Sequence, residues 1–273
     1  MTEAVVFFHA HPDDEALFTG GTMARLSAEG HRVVLVTATS GEAGLASPDL
    51  SAGQSLGAVR LRELARSADI LGCARVVVLG YADSGMDGRH EGAFSEVPPE
   101  VPARRLAAIL DEEAAAVLVT YDAAGGYGHP DHLQVHRTGR LAARIAGTPV
   151  ELQATVDRQA LRRALRLVSW LGLGSDELRP SRFDGLYSGR DEITHRVDVR
   201  RQIDQKRAAM AAHASQATGD DTRRTLAMLL RLPRPVFRLA LGREWFVEVG
   251  RRPGGSPLDD VLASLRPRGV SDP

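Results

Sequence analysis

Short β-branched and aromatic runs alternate with longer stretches of helical spacing through the first half of the chain. This alternation restricts the fold more than any other feature. Ala4–His9 (AVVFFH), Arg32–Thr39 (RVVLVTAT), 75–79 and 116–121 read as strands. Their near-continuous apolar character is that of strands covered on both faces. Between and after them, 15–29, Leu56–Leu71, 101–113 and 132–146 carry apolar residues at helical intervals, and Gly30 and Gly72 stop the first two. Strand–helix–strand units of this length build a parallel sheet with right-handed crossovers. The expected architecture is a Rossmann-like three-layer α/β/α fold with a mostly parallel sheet. Ligands of such sheets bind at the carboxyl ends of the strands. The long loops at 40–55, 80–99 and 122–131, rich in Gly, Asp and Ser, fall at those ends.

The pattern loosens after residue 150. A helix is expected at 161–173, a strand at 193–199, a helix at 200–214 and a last strand at 244–249. The apolar run 226–241 is interrupted by Pro233 and Pro235, and the tail from Arg251 is rich in Pro and Gly. Residues 1–150 are therefore expected to form the catalytic α/β core. Residues 151–273 are expected to complete the sheet and wall the substrate pocket without forming an independent domain.

Composition removes several function classes. The formal net charge is −1, with no basic excess or acidic tail, which argues against a nucleic-acid partner. The single cysteine, Cys73, permits no intramolecular disulfide and reads as a small buried hydrophobe. The chain shows no leader-like segment, and Val5-Val6-Phe7-Phe8 is too short to span a membrane, so a cytoplasmic protein with no membrane partner is expected. Lys206 is the only lysine, a bias read as GC-rich coding rather than as function.

Two segments carry the chemistry. His9-Ala10-His11-Pro12-Asp13-Asp14-Glu15 follows the first strand and opens a helix. An imidazole beside two carboxylates offers nitrogen and hard oxygen donors of the kind that bind Zn2+ or another divalent first-row metal. Adjacent residues in such a turn point different ways, so Asp13 and Asp14 should differ in role: one on the metal, the other facing its water. An Asp pair at a helix start also serves simply as a cap. That plainer reading leaves unexplained the second segment, Gly125-Gly126-Tyr127-Gly128-His129-Pro130-Asp131-His132, which follows the fourth strand. Two such segments at the carboxyl ends of parallel strands should converge on one three-ligand site.

These residues resemble the LmbE-like, or PIG-L-type, deacetylases, and most closely the branch holding mycothiol-pathway deacetylases and mycothiol conjugate amidases. The resemblance rests on AHPDDE at 10–15, TSGEAG at 39–44, Arg60-x-x-Glu63, Leu71-Gly72, DSGM at 83–86 and TYDAAGGYGHPDH at 120–132. It resumes in KRAAMAAHASQ at 206–216. It implies metal ligands His11, Asp14 and His132, with Zn2+ as cofactor and Fe2+ equally suited to the donors. It implies Asp13 as general base, His129 in charge stabilisation or proton transfer, and Tyr127 polarising the amide carbonyl. Arg60, Asp83, Glu42, His213 and Gln216 are its implied substrate contacts, and Phe18 is a further expected contact at which the chain departs from the family pattern.

Residues 16–19, Ala-Leu-Phe-Thr, stand where selectivity is expected, and the bulky Phe18 points to a less polar pocket there. His9 and His136 are expected to support the site rather than bind metal. His31, His90 and His195 are expected to have no part in it. The activity implied is removal of an N-acyl group, acetyl above all, from an amino sugar or GlcNAc-type conjugate. A conjugate amidase, a tailoring deacetylase and a non-catalytic metal-binding protein are the alternatives. The partner expected is that small molecule, and the chain is compatible with a homo-oligomer.

Overall fold

The computed structural model describes residues 2–43, 55–86, 92–170, 181, 184–216 and 221–266. His90, parts of the first two long loops, the end of the helix expected to reach 173 and the tail from 267 lie outside the described residues.

The first four strands are β1 (Ala4–His9), β2 (Arg32–Thr39), β3 (Arg75–Tyr81) and β4 (Val117–Tyr121), followed by β5 (Val150–Thr155). All are parallel to their neighbours in the order β3-β2-β1-β4-β5. Every residue of β1 is buried. Alternation sorts them: Val5 and Phe7 enter one apolar core, Val6 and Phe8 the other, on the opposite face of the sheet. Helices α1 (Gly20–Ala28) and α2 (Leu56–Leu71) supply the first core, and α3 (Glu100–Glu112) and α4 (Pro130–Ala146) the second. This is the expected three-layer arrangement.

Helix ends follow local chemistry. The Ser55 side chain accepts a hydrogen bond from the Ala58 amide to open α2, and Gly72 closes it at φ 74°. Pro130 sits in the first turn of α4, where its missing N–H costs nothing. Gly139, within α4, lies so close to β4 that a Cβ there would stand 2.3 Å from the Thr120 methyl.

The expected helix at 15–29 is two pieces. A wide π turn, Glu15–Thr19, precedes α1. The sequence reading missed β5, whose VELQAT alternates apolar and polar residues. After α5 (Arg158–Trp170), β6 (His195–Asp198) and α6 (Ile203–Ala212) lie within the ranges expected for them. The apolar run at 226–241 divides at Pro233 into α7 (Asp221–Arg231) and α8 (Arg234–Leu241). The last strand, β7 (Arg243–Glu248), pairs antiparallel with both β5 and β6, giving the order β3-β2-β1-β4-β5-β7-β6 among the described residues. His195, expected to be unremarkable, is fully buried against Thr194 and Ser264. No helix among the described residues is long and apolar enough to cross a membrane.

One buried ion pair ties the late elements to the early ones. Lys206 of α6, the only lysine, places Nζ 2.6 Å from Glu244 Oε1 of β7. The same carboxylate accepts the Gly21 and Thr22 amides, each at 2.8 Å, at the positive end of α1. Both charges are buried, so either left alone in this low-dielectric setting is costly. Lys206→Met is expected to lower stability by about 3–5 kcal/mol, read as a lower urea midpoint at unchanged slope. An unchanged midpoint would contradict this account of the junction.

Candidate active site

β1 and β4 are neighbours at the point where the chain leaves the sheet centre in opposite directions. A crevice forms at the carboxyl ends of such a pair. His11 and Asp14 follow β1, and His129 and His132 follow β4, so residues more than 110 apart in sequence meet there.

The Asp14 carboxylate is the meeting point. Its Oδ2 lies 3.3 Å from His11 Nδ1 and 3.2 Å from His132 Nε2, and it accepts the His11 amide at 3.0 Å. His11, Asp14 and His132 are buried, and one donor atom from each falls within 4.8 Å of the others. Two imidazole nitrogens and a carboxylate oxygen, closely spaced and away from water, fit a divalent cation. Although burial pushes Asp14 up, His132 and His11 hold its carboxyl well below the usual range.

A second group, His11, His129 and Asp131, is spaced like a ligand set. Its carboxylate is already engaged. Asp131 Oδ2 lies 3.1 Å from His11 Nε2 and accepts the Ser84 amide at 3.0 Å, while Oδ1 accepts the Ser84 hydroxyl. Asp131 therefore suits an orienting role, fixing the far side of the His11 ring and leaving Nδ1 for Asp14 and the cation. Asp83 Oδ1 stands 3.4 Å from the same His11 Nε2, and burial notwithstanding, His11 holds the Asp83 carboxyl far below its usual range.

The His132 ring lies flat on Tyr121, with centroids 4.1 Å apart and planes 8° from parallel. Tyr121 is fixed in turn by its hydroxyl, which accepts the Ala10 amide at 3.2 Å and lies 3.0 Å from His9 Nδ1. His9 Nε2 is 2.9 Å from Thr19 Oγ1. Burial lowers the His9 pKa to about 4, so His9 is a neutral brace. His136 Nδ1 lies 3.1 Å from the backbone carbonyl of Tyr121. Phe18, buried, packs its ring at 5.6 Å from Tyr121 and 6.1 Å from His132.

Asp13 differs from Asp14 in direction and backbone. It has φ 104°, a region that non-glycine residues rarely adopt and that costs on the order of 1–3 kcal/mol. Its side chain faces Arg60, with Nη2 at 3.5 Å. Burial pushes the Asp13 carboxyl up to about 6, against the pull of Arg60. Arg60 also donates from Nη2 to the Pro12 carbonyl at 2.8 Å and from Nη1 to the Gly41 carbonyl. Gly41 is obligatory there, because its φ is 69° and a Cβ would fall on the guanidinium. Glu42 joins two loops, accepting the Ser40 hydroxyl at 2.6 Å and the Asp83 amide at 3.0 Å.

His129 caps α4. Its Nδ1 accepts the Asp131 amide at 3.1 Å, which leaves the ring proton on Nε2. Burial, followed by the neighbouring His11 and His132, lowers its pKa to about 3, so it is a neutral N–H donor. The Tyr127 hydroxyl is 3.5 Å from His132 Nε2. The glycine loop carrying Tyr127 is held by Asp122, whose Oδ1 accepts the Ala124 and Gly126 amides at 3.1 and 2.9 Å.

His213 and Gln216 arrive from the end of α6. His213 is fully buried with Nε2 2.7 Å from Glu15 Oε1, and Gln216 donates to Ser215 Oγ at 3.0 Å. Sequence reasoning did not single out Asp131, Glu15, Tyr121 or Asp122. All four lie within or beside the two segments it did single out, and a carboxylate or tyrosine adjoining a ligand motif is the signal that could have found them.

The family model described as PIG-L, GlcNAc-PI de-N-acetylase, matches residues 6–143. A 1D-myo-inositol 2-acetamido-2-deoxy-alpha-D-glucopyranoside deacetylase from Saccharomonospora viridis is 40% identical over 233 residues, which cover 78% of this chain and 85% of that protein. Among solved structures, the N,N'-diacetylchitobiose deacetylase of Pyrococcus horikoshii aligns at a TM-score of 0.56 and 24% identity, covering 90% of this chain and 84% of that one. The 4-carboxy-2-hydroxymuconate hydratase of Pseudomonas putida aligns at 0.59 and 17% identity, covering 93% and 99%. The fold is thus shared by a hydratase as well as a deacetylase, and reaction class has to be argued from the site. Sequence similarity, in contrast, is specific: the chain belongs to the PIG-L, GlcNAc-PI de-N-acetylase family.

Proposed function

We propose that this protein is a divalent-metal-dependent amide hydrolase that removes the acetyl group from the nitrogen of a glucosamine-type conjugate. The observation that carries the reading is the convergence of His11, Asp14 and His132 from two strand ends, with Asp13 alongside and outside the ligand set. Its substrate class is taken from relatives named as deacetylases of an acetamido-glucopyranoside.

In this reading His11 Nδ1, Asp14 and His132 Nε2 hold the cation, assigned as Zn2+, with Fe2+ also suited to the N/O donors. When bound, it supplies Lewis acidity toward the amide carbonyl and toward water. Asp13 accepts the proton of the attacking water, and its raised pKa makes it a stronger base than an ordinary aspartate. The Nε2–H of His129 and the hydroxyl of Tyr127 donate to the oxygen that gains charge as the carbonyl becomes tetrahedral. A neutral His129 serves this without a proton being lost or regained. The departing amine takes its proton from Asp13, which received one in the attack. Asp83, beside His11, is assigned to a sugar hydroxyl. Phe18 backs the His132 ring, and Arg60 grips the Asp13 turn rather than the sugar.

The direct test is release of free amine and acetate from 1D-myo-inositol 2-acetamido-2-deoxy-alpha-D-glucopyranoside and from a panel of N-acylated amino sugars. Turnover is expected, lost on chelation and restored by Zn2+ or Fe2+; a metal-loaded protein inert toward the whole panel sinks the reading. Asp13→Asn is expected to retain its metal and lose about 100- to 10,000-fold in kcat, whereas wild-type turnover would remove Asp13 from the base role. His132→Ala should bind less metal by elemental analysis, and full occupancy would point to another ligand.

A further inference from the structure

We propose that Glu15 and His213 form a positioning pair that holds Asp13 in its reactive conformation without touching substrate. The proposal rests on the reading of Asp13 as the base. Asp13 stands at φ 104°, and a side chain in that region stays there only if its surroundings hold it. Three contacts do so. The Asp13 amide donates to Glu15 Oε2 at 2.9 Å. Arg60 grips the preceding carbonyl, that of Pro12, at 2.8 Å. The Leu17 amide donates to the Asp13 carbonyl at 3.2 Å.

Glu15 is the element of this set that cannot stand alone. It is fully buried, and a carboxylate there needs partners for both oxygens. Oε2 has the Asp13 amide. Oε1 has the Ser67 hydroxyl of α2 at 2.5 Å and His213 Nε2 at 2.7 Å. His213 is itself fully buried, and its other ring nitrogen has no partner among the described residues, so Glu15 is its one hydrogen-bonding group there. The hydrogen bond by which His213 reaches the Asp13 turn is therefore the one to Glu15. A residue 198 positions from Glu15 in sequence thereby helps fix the backbone of the base.

The test compares wild type with His213→Ala, His213→Gln and Ser67→Ala. Gln at 213 keeps an N–H donor for Glu15. His213→Ala is expected to bind the same metal equivalents, keep KM within about threefold and lose about 100-fold in kcat. His213→Gln is expected to recover at least about tenfold of that loss. In a crystal structure of the metal-free His213→Ala protein, Asp13 should leave the left-handed region. Wild-type kcat in His213→Ala, an unmoved Asp13, or a fall in metal content equal to the fall in kcat would each overturn the pair. If His213→Ala does not fold, Ser67→Ala decides: kcat about tenfold lower at unchanged KM supports the pair, and unchanged kcat overturns it. Wild-type protein that hydrolyses no N-acylated amino sugar would strike the deacetylase reading alone, because the Asp13 backbone in metal-free protein judges the pair by itself.

Discussion

Burying a carboxylate requires hydrogen-bonding partners for it, and the crevice of this protein buries Asp14 and Glu15 within six residues of the end of β1 and Asp131 at the start of α4. Asp14 is set against His11 and His132, Asp131 against His11 and Ser84, and Glu15 against His213 and Ser67. Each pairing links a different element to the β1 turn. Asp14 brings in the start of α4, Asp131 the loop after β3, and Glu15 both α2 and the end of α6. The sheet places these segments within reach. Charge pairing then leaves each side chain one arrangement that satisfies it.

The same logic separates what could be read in the sequence from what could not. β1 and β2 were legible because both faces are covered and nearly every residue is apolar. β5 was not, because Glu151 and Gln153 interrupt its apolar residues, and the antiparallel β7 that flanks it is nearly a hundred residues away in sequence. Two histidine–aspartate segments after strands that are neighbours in a parallel sheet made their convergence on one crevice legible, since local pattern and topology agree. The braces were not legible. Tyr121 under His132 and Glu15 against His213 are pairings across the fold, and nothing in the spacing of one segment announces its partner in another.

The later third of the chain matters to the crevice more than its loose pattern implies. The end of α6 reaches Glu15, Ser215 grips Glu63 of α2 through its amide and hydroxyl, and Ser188 donates to Asp122, which shapes the glycine loop of Tyr127. Arg60 and His213 are both motif residues, and both make buried contacts beside the Asp13 turn, Arg60 with the Pro12 carbonyl and His213 with Glu15.

Lys206 carries a further consequence. The bias toward arginine leaves one ε-amine in the whole chain, and that amine is enclosed between α6 and β7 against Glu244. Arginine guanidinium groups do not react with the common amine-directed acylating reagents. Among side chains, then, the closed fold offers such reagents nothing, and acylation at Lys206 becomes possible only when α1, α6 and β7 part. Labelling rate at this one position is therefore a built-in clock for opening of the junction, readable by mass without introducing any probe.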